Sequence, residues 1–249
     1  MDEIIFMDVK SAGRSVELFE LFARVQTPLS LSELARALSA PLSSCFNLVR
    51  ALEARGYLYA VAGRRIYPTR KLCNIGNAIT AGEPWMERFE PRLVALREAT
   101  QETTILGKRQ GDQAIYLAVV EGPQNVRYSA QAGELKPLYS SSIGKALLSA
   151  LSRAEREAIV AKLSLEARTG ATITERAALL ADLDRCAARG LAETRGENVP
   201  DVMAIAKPVR LGDDLYAIAV AGPMHRMMVN VDRHQAHLAE ICAEIAKAP

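Results

Sequence analysis

The stretch that decides the fold is Ser30–Pro68, SLSELARALSAPLSSCFNLVRALEARGYLYAVAGRRIYP, which contains three short patterned segments in succession. Its first four residues form a capping box, in which the side chains of Ser30 and Glu33 each accept a hydrogen bond from the other residue's backbone N–H. An apolar stripe follows with the spacing of one helix face. Its members are Leu31, Leu34, Ala35 and Leu38. The pattern predicts a short helix that begins just after Ser30.

A second helix is predicted after the break at Ala40-Pro41, and it begins near Leu42 and ends at Gly56. Its apolar positions follow the i, i+3, i+4, i+7 pattern, which gives it one core-facing side. They are Cys45, Leu48, Val49 and Leu52. Residues 57–67 then alternate as a hairpin that turns at residues 62–65. Helix, sharp turn, helix and hairpin are typical of a winged helix-turn-helix, whose second helix enters the DNA major groove.

A preceding helix, Arg14 to Ala23, completes a three-helix core, with Val16, Phe19 and Phe22 predicted to face inward. We therefore expect residues 1–68 to form a winged helix-turn-helix DNA-binding domain.

The outward face of the second helix carries side chains suited to DNA. Asn47 can make two hydrogen bonds to adenine, and an exposed Phe46 could contact a thymine methyl group. Serines at the helix N-terminus suit a phosphate, and the arginines suit the DNA backbone or minor groove. The predicted contacts are Arg14, Ser43, Ser44, Phe46, Asn47, Arg50, Arg64 and Arg65. The alternative is a solvated helix face beside a hairpin tip that happens to be basic.

Composition sets limits on the function. The 249 residues suit two modest domains, and the net charge is only +2. Ten basic and seven acidic residues precede Cys73, a small surplus for DNA binding that a dimer would double. No apolar run is long enough for a membrane helix, and the acidic N-terminus is unlike a signal peptide. Four scattered cysteines indicate reduced thiols and a cytoplasmic protein.

Beyond residue 68 the pattern becomes mixed. Residues 69–83 are predicted to form a linker helix using Leu72, Ile75 and Ile79, with a bend at Gly76. Residues 84–249 are expected to form a larger domain of helices packed on an antiparallel sheet, which makes the whole chain α+β. Its predicted strands are 103–108, 114–120, 125–130, 202–210 and 216–221, and its predicted helices are 85–100, 143–151, 153–163, 174–189 and 231–247.

A Ser-rich turn at residues 138–147 precedes one of these helices. Backbone N–H groups of Ser142, Ile143 and Gly144 would lack helical partners and could bind a carboxylate or phosphate, with Lys136 or Arg127 as a countercharge. The alternative is that Ser140 or Ser141 only caps the helix.

Two further patterns bear on catalysis and metal binding. Ser142 and Lys145 form an S-x-x-K pattern typical of acyl-transfer enzymes, and 168–170 resembles a further motif of that group, but no S-D-N lies between them. His234 and His237 share a helix face with Cys242, a pattern that is more often a surface feature than a metal site. We therefore expect neither catalysis nor a metal or other cofactor.

Taken together, these segments resemble the isocitrate-lyase-regulator (IclR) family of bacterial transcription factors. The resemblance lies in SLSELARAL, in LEARGYL at 52–58, in PLY at 137–139 leading into GKALL at 144–148, in GLA at 190–192, in AIAKPV at 204–209 and in AIAVAGP at 217–223. It implies a repressor or activator with a winged helix-turn-helix, a linker helix and a GAF-like effector domain. It also implies homodimers or tetramers on palindromic operators.

The resemblance further implies an effector pocket for a small organic acid. The implied pocket residues are Tyr128, Lys136, Ser141, Ser142, Ile143, Gly144, Thr194, Met203, Ala204, Ala219 and Ala221. Family members that bind small keto acids tend to have polar groups where this chain has Thr194, Ala204, Ala219 and Ala221. The more apolar set favours a larger, aromatic acid held by Lys136 or by the Ser142 and Ile143 amides. The recognition helix also departs from the family at Ser44 and Asn47, so no operator sequence is transferred.

Overall fold

The fold comes from a computed structural model, which describes residues 10–82 and 86–247. The chain forms two compact units, one up to residue 83 and the other from residue 84. Among the helices of the described residues, none is long and apolar enough to cross a membrane.

The first unit is a helical domain with a small sheet. Its elements are α1 (Lys10–Val25), β1 (Leu29–Ser30), α2 (Leu31–Ala37), α3 (Leu42–Ala54), β2 (Leu58–Val61), β3 (Arg65–Pro68) and α4 (Lys71–Thr80). The sheet is antiparallel with the order β1-β3-β2. The predicted winged helix-turn-helix is confirmed, with β2 and β3 as its wing.

The capping box fixes where α2 begins. The Ser30 N–H donates to Glu33 Oε2 at 2.7 Å, and the Glu33 N–H donates back to Ser30 Oγ at 3.3 Å. The Ser30 backbone bond is the main reason why the pKa of Glu33 is lowered. Because both orphan N–H groups are satisfied, the entry into the helix-turn-helix is well defined.

The core of this unit differs from the sequence expectation at one position in α1. Val16, expected to face inward, is 58% exposed, whereas Leu18 and Leu21 are buried with Phe22. The helix begins earlier than predicted and its buried face is rotated, so that the stripe runs through Leu18 rather than Val16.

Helix α4 lies where the linker helix was predicted. It runs through Gly76 as one helix, so the predicted bend is absent. Its apolar residues are largely uncovered within the first unit, since Ile75 is 36% and Ile79 60% exposed.

The second unit is a six-stranded antiparallel sheet with helices on both faces. Its helices are α5 (Met86–Thr100), α6 (Ser142–Ser149), α7 (Arg153–Val160), α8 (Arg176–Arg189) and α9 (Met224–Lys247). Its strands are β4 (Thr103–Gln110), β5 (Gln113–Val120), β6 (Leu135–Pro137), β7 (Ala192–Arg195), β8 (Val202–Leu211) and β9 (Asp214–Pro223). The sheet order is β6-β5-β4-β9-β8-β7.

Alternation along the strands separates two cores. Met203 and Ile205 of β8 face α5 and α9, in a cluster with Phe89. Ala204 and Ala206 face the other side, in a cluster that includes residues of α6 and α8. The second cluster is lined by alanines where it meets the sheet, and this leaves room beside the start of α6.

Two predicted elements need correction, and two strands of the sheet were not predicted. Residues 125–130 form no strand, because the Tyr128 carbonyl accepts from the Thr103 hydroxyl at 2.5 Å instead of joining the sheet. Short β6 and β7 were not predicted. Helix α9 begins at Met224 rather than near Val231. Trp85, the predicted first residue of the 85–100 helix, lies outside the described residues.

Candidate functional site

Helix α3 presents a polar and aromatic face away from the core. Cys45 and Val49 are 1% and 4% exposed, whereas Phe46 is 50% exposed. The structure places Ser43, Asn47 and Arg50 on the exposed side as well, with Ser44 half-buried. Pro41 caps this helix without any side-chain hydrogen bond, so its first N–H groups are open to an anion.

The two wing arginines differ in their surroundings. Arg64 is exposed at the turn, with a left-handed φ of 56° after Gly63. The Arg65 guanidinium donates to the Pro28 carbonyl at 2.8 Å and lies 3.4 Å from Glu33 Oε2. Arg65 therefore joins the wing to the start of α2, so part of its hydrogen-bonding capacity is already used within the protein. Arg14 is half-buried in α1.

In the second unit, a small cavity of about 30 Å³ lies beside the start of α6. Its walls come from β4, β5, β7, β8, β9, the 121–134 segment, the start of α6 and the loop after β7. The lining residues are Ile105, Tyr116, Tyr128, Ser141, Ser142, Thr194, Asn198, Val199, Val202, Ala204 and Ala221. Tyr128, Ser141, Ser142, Thr194, Ala204 and Ala221 were expected from the sequence.

Three expected pocket residues do not line the cavity, each for an identifiable reason. Met203 is buried in the cluster on the opposite face of the sheet. A Cβ on Gly144 would lie 2.4 Å from Leu138 Cα, so this glycine serves close packing, and its N–H is used by the Ser141 hydroxyl at 3.1 Å. The Lys136 ammonium pairs with Glu134 at 2.6 Å.

Ile143 and Ala219 were also expected to line the pocket, and they lie close to it. Both are buried in the same core cluster as the cavity walls but do not line the cavity.

Sequence reasoning missed Tyr116, Asn198 and three apolar lining residues. Tyr116 could have been found from the sequence, because it lies two residues after Ala114 in a predicted strand and therefore on the same face of the sheet. Asn198 and Val199 had none, since they lie in an irregular loop that is brought to the cavity by long-range contacts.

The cavity is uncharged and offers hydrogen bonds. Ser141 caps α6, while the N–H groups of Ser142 and Ile143 make no hydrogen bond among those found for the described residues. Burial, with the adjacent Tyr128, raises the pKa of Tyr116, so the Tyr116 phenol stays protonated and can donate. The nearby cation of Lys136 is already paired, as is Arg127, which binds Glu121 at 2.7 Å. An anion would therefore depend on backbone and hydroxyl donors.

The acyl-transfer alternative conflicts with the position of Lys145. This side chain is fully buried, and its ammonium binds Asp182 at 2.8 Å and Glu197 at 2.5 Å. A lysine held by two carboxylates is not available as a base for Ser142. Thr169 belongs to the 168–170 segment that resembles a further motif of the acyl-transfer enzymes. Its hydroxyl donates to the Gly196 carbonyl at 2.6 Å.

Comparison with known proteins identifies the family. A model of the IclR helix-turn-helix domain matches residues 11–62, and a model of the bacterial transcriptional regulator IclR C-terminal domain matches residues 80–248. The chain belongs to the IclR family. IclR proteins are transcriptional regulators and not enzymes, so this chain is a DNA-binding regulator with an effector-binding domain.

Known relatives are similar to this chain over most of its length. The HTH-type transcriptional regulator BhcR of Paracoccus denitrificans is 30% identical over 222 residues, or 88% of this chain and 79% of that protein. The crystal structure of Thermotoga maritima IclR matches with a TM-score of 0.82 at 22% identity, covering 96% of this chain and 98% of that one.

A further solved structure carries a ligand. An IclR homologue from Microbacterium hydrocarbonoxydans, complexed with 4-hydroxybenzoate, matches with a TM-score of 0.76 at 20% identity, covering 95% of this chain and 97% of that one. At this identity the likeness establishes the shared fold.

Proposed function

We propose that this IclR-family regulator binds a palindromic operator as a homodimer or tetramer, and that a small organic acid, favoured to be aromatic, changes its operator affinity. The observation that carries the proposal is the cavity beside the unbonded Ser142 and Ile143 amides. The 4-hydroxybenzoate complex of a homologue with the same fold supports an aromatic acid.

The DNA-binding part rests on the exposed face of α3. Asn47 is placed to read adenine, Phe46 to contact a thymine methyl, and Ser43 with Ser44 to meet a phosphate at the helix N-terminus. Arg50 and the wing arginines would contact the backbone, and Arg14 lies on α1 as an additional candidate. Two copies of this small unit would supply the half-site symmetry of a palindrome.

The effector part rests on the chemistry of the cavity walls. The carboxylate would bind the Ser142 and Ile143 N–H groups, where the helix dipole favours negative charge. Tyr116, Tyr128 and Asn198 would surround the rest of the molecule and offer hydrogen bonds to a ring substituent.

The cavity volume indicates how binding is coupled to a change of state. At about 30 Å³ it has room for a water molecule, whereas a benzene-sized ligand needs roughly 150 Å³. An aromatic acid would therefore bind only an expanded state of the second unit. Such a ligand shifts the population towards that state by its differential affinity. We propose that residues 69–83, which join the two units along the chain, transmit this shift to the cytoplasmic DNA-binding unit.

Calorimetric titration of the full chain tests the effector class, with benzoates, phenylacetates and short keto acids as probes. We expect an aromatic acid to bind in the micromolar range and to change the affinity for a duplex taken from upstream of the protein's own gene. Tight binding of glyoxylate or pyruvate with no aromatic ligand would contradict the aromatic class. Unchanged DNA affinity at saturating acid would contradict effector control.

A further inference from the structure

A cluster of three charged side chains, a fully buried lysine between two partly buried carboxylates, lies outside the cavity lining and has no role in the functions described above. Lys145 is fully buried, one helical turn after Ser142, and its ammonium binds Asp182 of α8 and Glu197. Glu197 belongs to the loop between β7 and β8, whose next two residues, Asn198 and Val199, line the cavity. One ion pair therefore joins two opposite walls, the α6 wall and the 196–202 loop.

The 196–202 segment has other attachments, all of them hydrogen bonds between neutral groups. The Thr169 hydroxyl donates to the Gly196 carbonyl at 2.6 Å and lies 3.4 Å from the Glu197 carbonyl, and the Met224 N–H donates to the Asp201 carbonyl at 2.7 Å. The Thr172 hydroxyl donates to the Glu197 carbonyl at 2.7 Å, and the Gly196 N–H donates to the Val202 carbonyl at 2.8 Å, closing the loop. The Ser140 hydroxyl reaches Asn198 Oδ1 at 3.3 Å. Of these contacts, the bond from Lys145 is the charge-assisted one, and the lysine that makes it is fully buried.

The charges of the cluster also make Glu197 the carboxylate that is easier to release. Asp182 has a second cation, Arg185, at 2.8 Å, whereas among the described residues Glu197 pairs with Lys145 alone. Burial raises the pKa of Glu197, with the neighbouring Asp182 adding to the rise and Lys145 opposing it. If Glu197 were released, Lys145 would still be paired with Asp182.

We propose that the Lys145–Glu197 ion pair is a clasp that holds the 196–202 loop against the cavity and thereby limits the size of the effector that the cavity admits. This inference rests on the proposed function of the cavity. Glu197 is a positioning residue, because its carboxylate points to Lys145 while the loop that it holds forms the cavity wall. Breaking the clasp frees Asn198 and Val199 to move outward, so that longer ligands gain access at little cost to shorter ones.

Glu197→Ala removes the clasp, and Asp184→Ala is the matched control. Asp184 pairs with the buried Arg156 at 2.8 Å, so its removal also takes one carboxylate away from a buried cation, but on helices α7 and α8 away from the cavity lining. Glu197→Gln, which keeps the shape and a neutral hydrogen bond, provides a second variant should the alanine variant fail to fold.

The first readout is amide hydrogen exchange of the ligand-free full chain. We expect exchange in residues 196–202 to rise at least tenfold in Glu197→Ala and less in Glu197→Gln, with the control unchanged. The second is the ratio of dissociation constants for 4-hydroxybenzoate and the longer 4-hydroxycinnamate. We expect the ratio to shift at least tenfold towards the longer acid in Glu197→Ala and not in Asp184→Ala.

If residues 196–202 exchange at the wild-type rate in both Glu197 variants, the clasp proposal is wrong. It is also wrong if the ratio of the two dissociation constants does not change in Glu197→Ala. If neither acid binds the wild-type chain, the effector class in the proposed function is wrong. The hydrogen-exchange result then decides by itself whether the ion pair holds the loop, because that measurement requires no ligand.

Discussion

Cys45 and Phe46 are consecutive residues of α3, and the helix turns the first towards the core and the second towards solvent, one 1% exposed and the other 50% exposed. The aromatic side chain is thus available for a contact outside the core. Its neighbours on the exposed side, Asn47 and Arg50, are a base-reading and a phosphate-binding residue type. The same helix thus packs the domain with one face, and we propose that it presents the other to DNA.

Asn47→Ala should change which sequence the protein prefers. A bidentate contact to adenine contributes roughly 1–3 kcal/mol of discrimination, so its removal should relax preference at one position per half-site. Selection from randomised duplexes measures this, with Asn77→Ala in the exposed part of α4 as the control. An unaltered selected sequence would show that Asn47 does not read a base.

Arg64→Ala should weaken binding to all duplexes about equally. Each phosphate that the variant no longer neutralises lowers the slope of log affinity against log salt by roughly 0.9. Anisotropy titrations at several salt concentrations measure the slope. Arg65→Ala should additionally lower the melting temperature of the free protein, because the variant cannot make the hydrogen bond to the Pro28 carbonyl. Arg64→Ala with a wild-type salt slope would contradict the wing contact.

Ser142→Pro should abolish acid binding, whereas Ser142→Ala should retain most of it. Ser142 is the first residue of α6, where proline is tolerated, and Ser141 has the extended backbone that a following proline requires (φ −98°, ψ 144°). The proline deletes one N–H donor to the carboxylate without breaking the helix. Calorimetry on both variants separates the amide from the hydroxyl. Equal affinities would place the carboxylate elsewhere.

His234 should make the second unit less stable in mild acid. It is 1% exposed, neither ring nitrogen has a hydrogen-bond partner among residues 10–82 and 86–247, and burial, with Arg233 and His237 nearby, lowers its pKa to about 4. Because the unfolded chain then binds the proton first, stability falls as pH drops from about 6.5 towards 4. The decrease should reach roughly 2–3 kcal/mol.

Denaturant titrations of wild type and His234→Leu across this pH range measure the effect, with His225→Gln as the control. The leucine variant should lose less stability in acid than the control does. Parallel pH profiles for all three proteins would show that His234 does not cause the acid sensitivity.

Local patterns predicted the first unit well because its elements depend on neighbouring residues. The Ser30–Glu33 box and the stripe of Cys45 and Val49 each lie within a few residues of sequence. Leu18 was missed because Val16 and Phe19 give α1 a second run of apolar residues with helical spacing.

The cavity was less predictable because long-range packing builds it. Met203 and Ala204 are adjacent, and only the pairing of β8 with β7 and β9 decides which of them faces α6. Gly144 was chosen for its N–H, but its close approach to Leu138 is visible only in three dimensions. The loop carrying Asn198 has no periodicity from which its position could be read.

The central claim is that acid and operator bind to one protein with linked affinities. The direct test is to measure the operator dissociation constant with and without saturating 4-hydroxybenzoate, and the acid's constant with and without saturating operator. Linkage requires that the acid change the operator dissociation constant by the same factor as the operator changes the dissociation constant of the acid. We expect this factor to be at least five. Acid binding that leaves operator affinity unchanged would contradict the account.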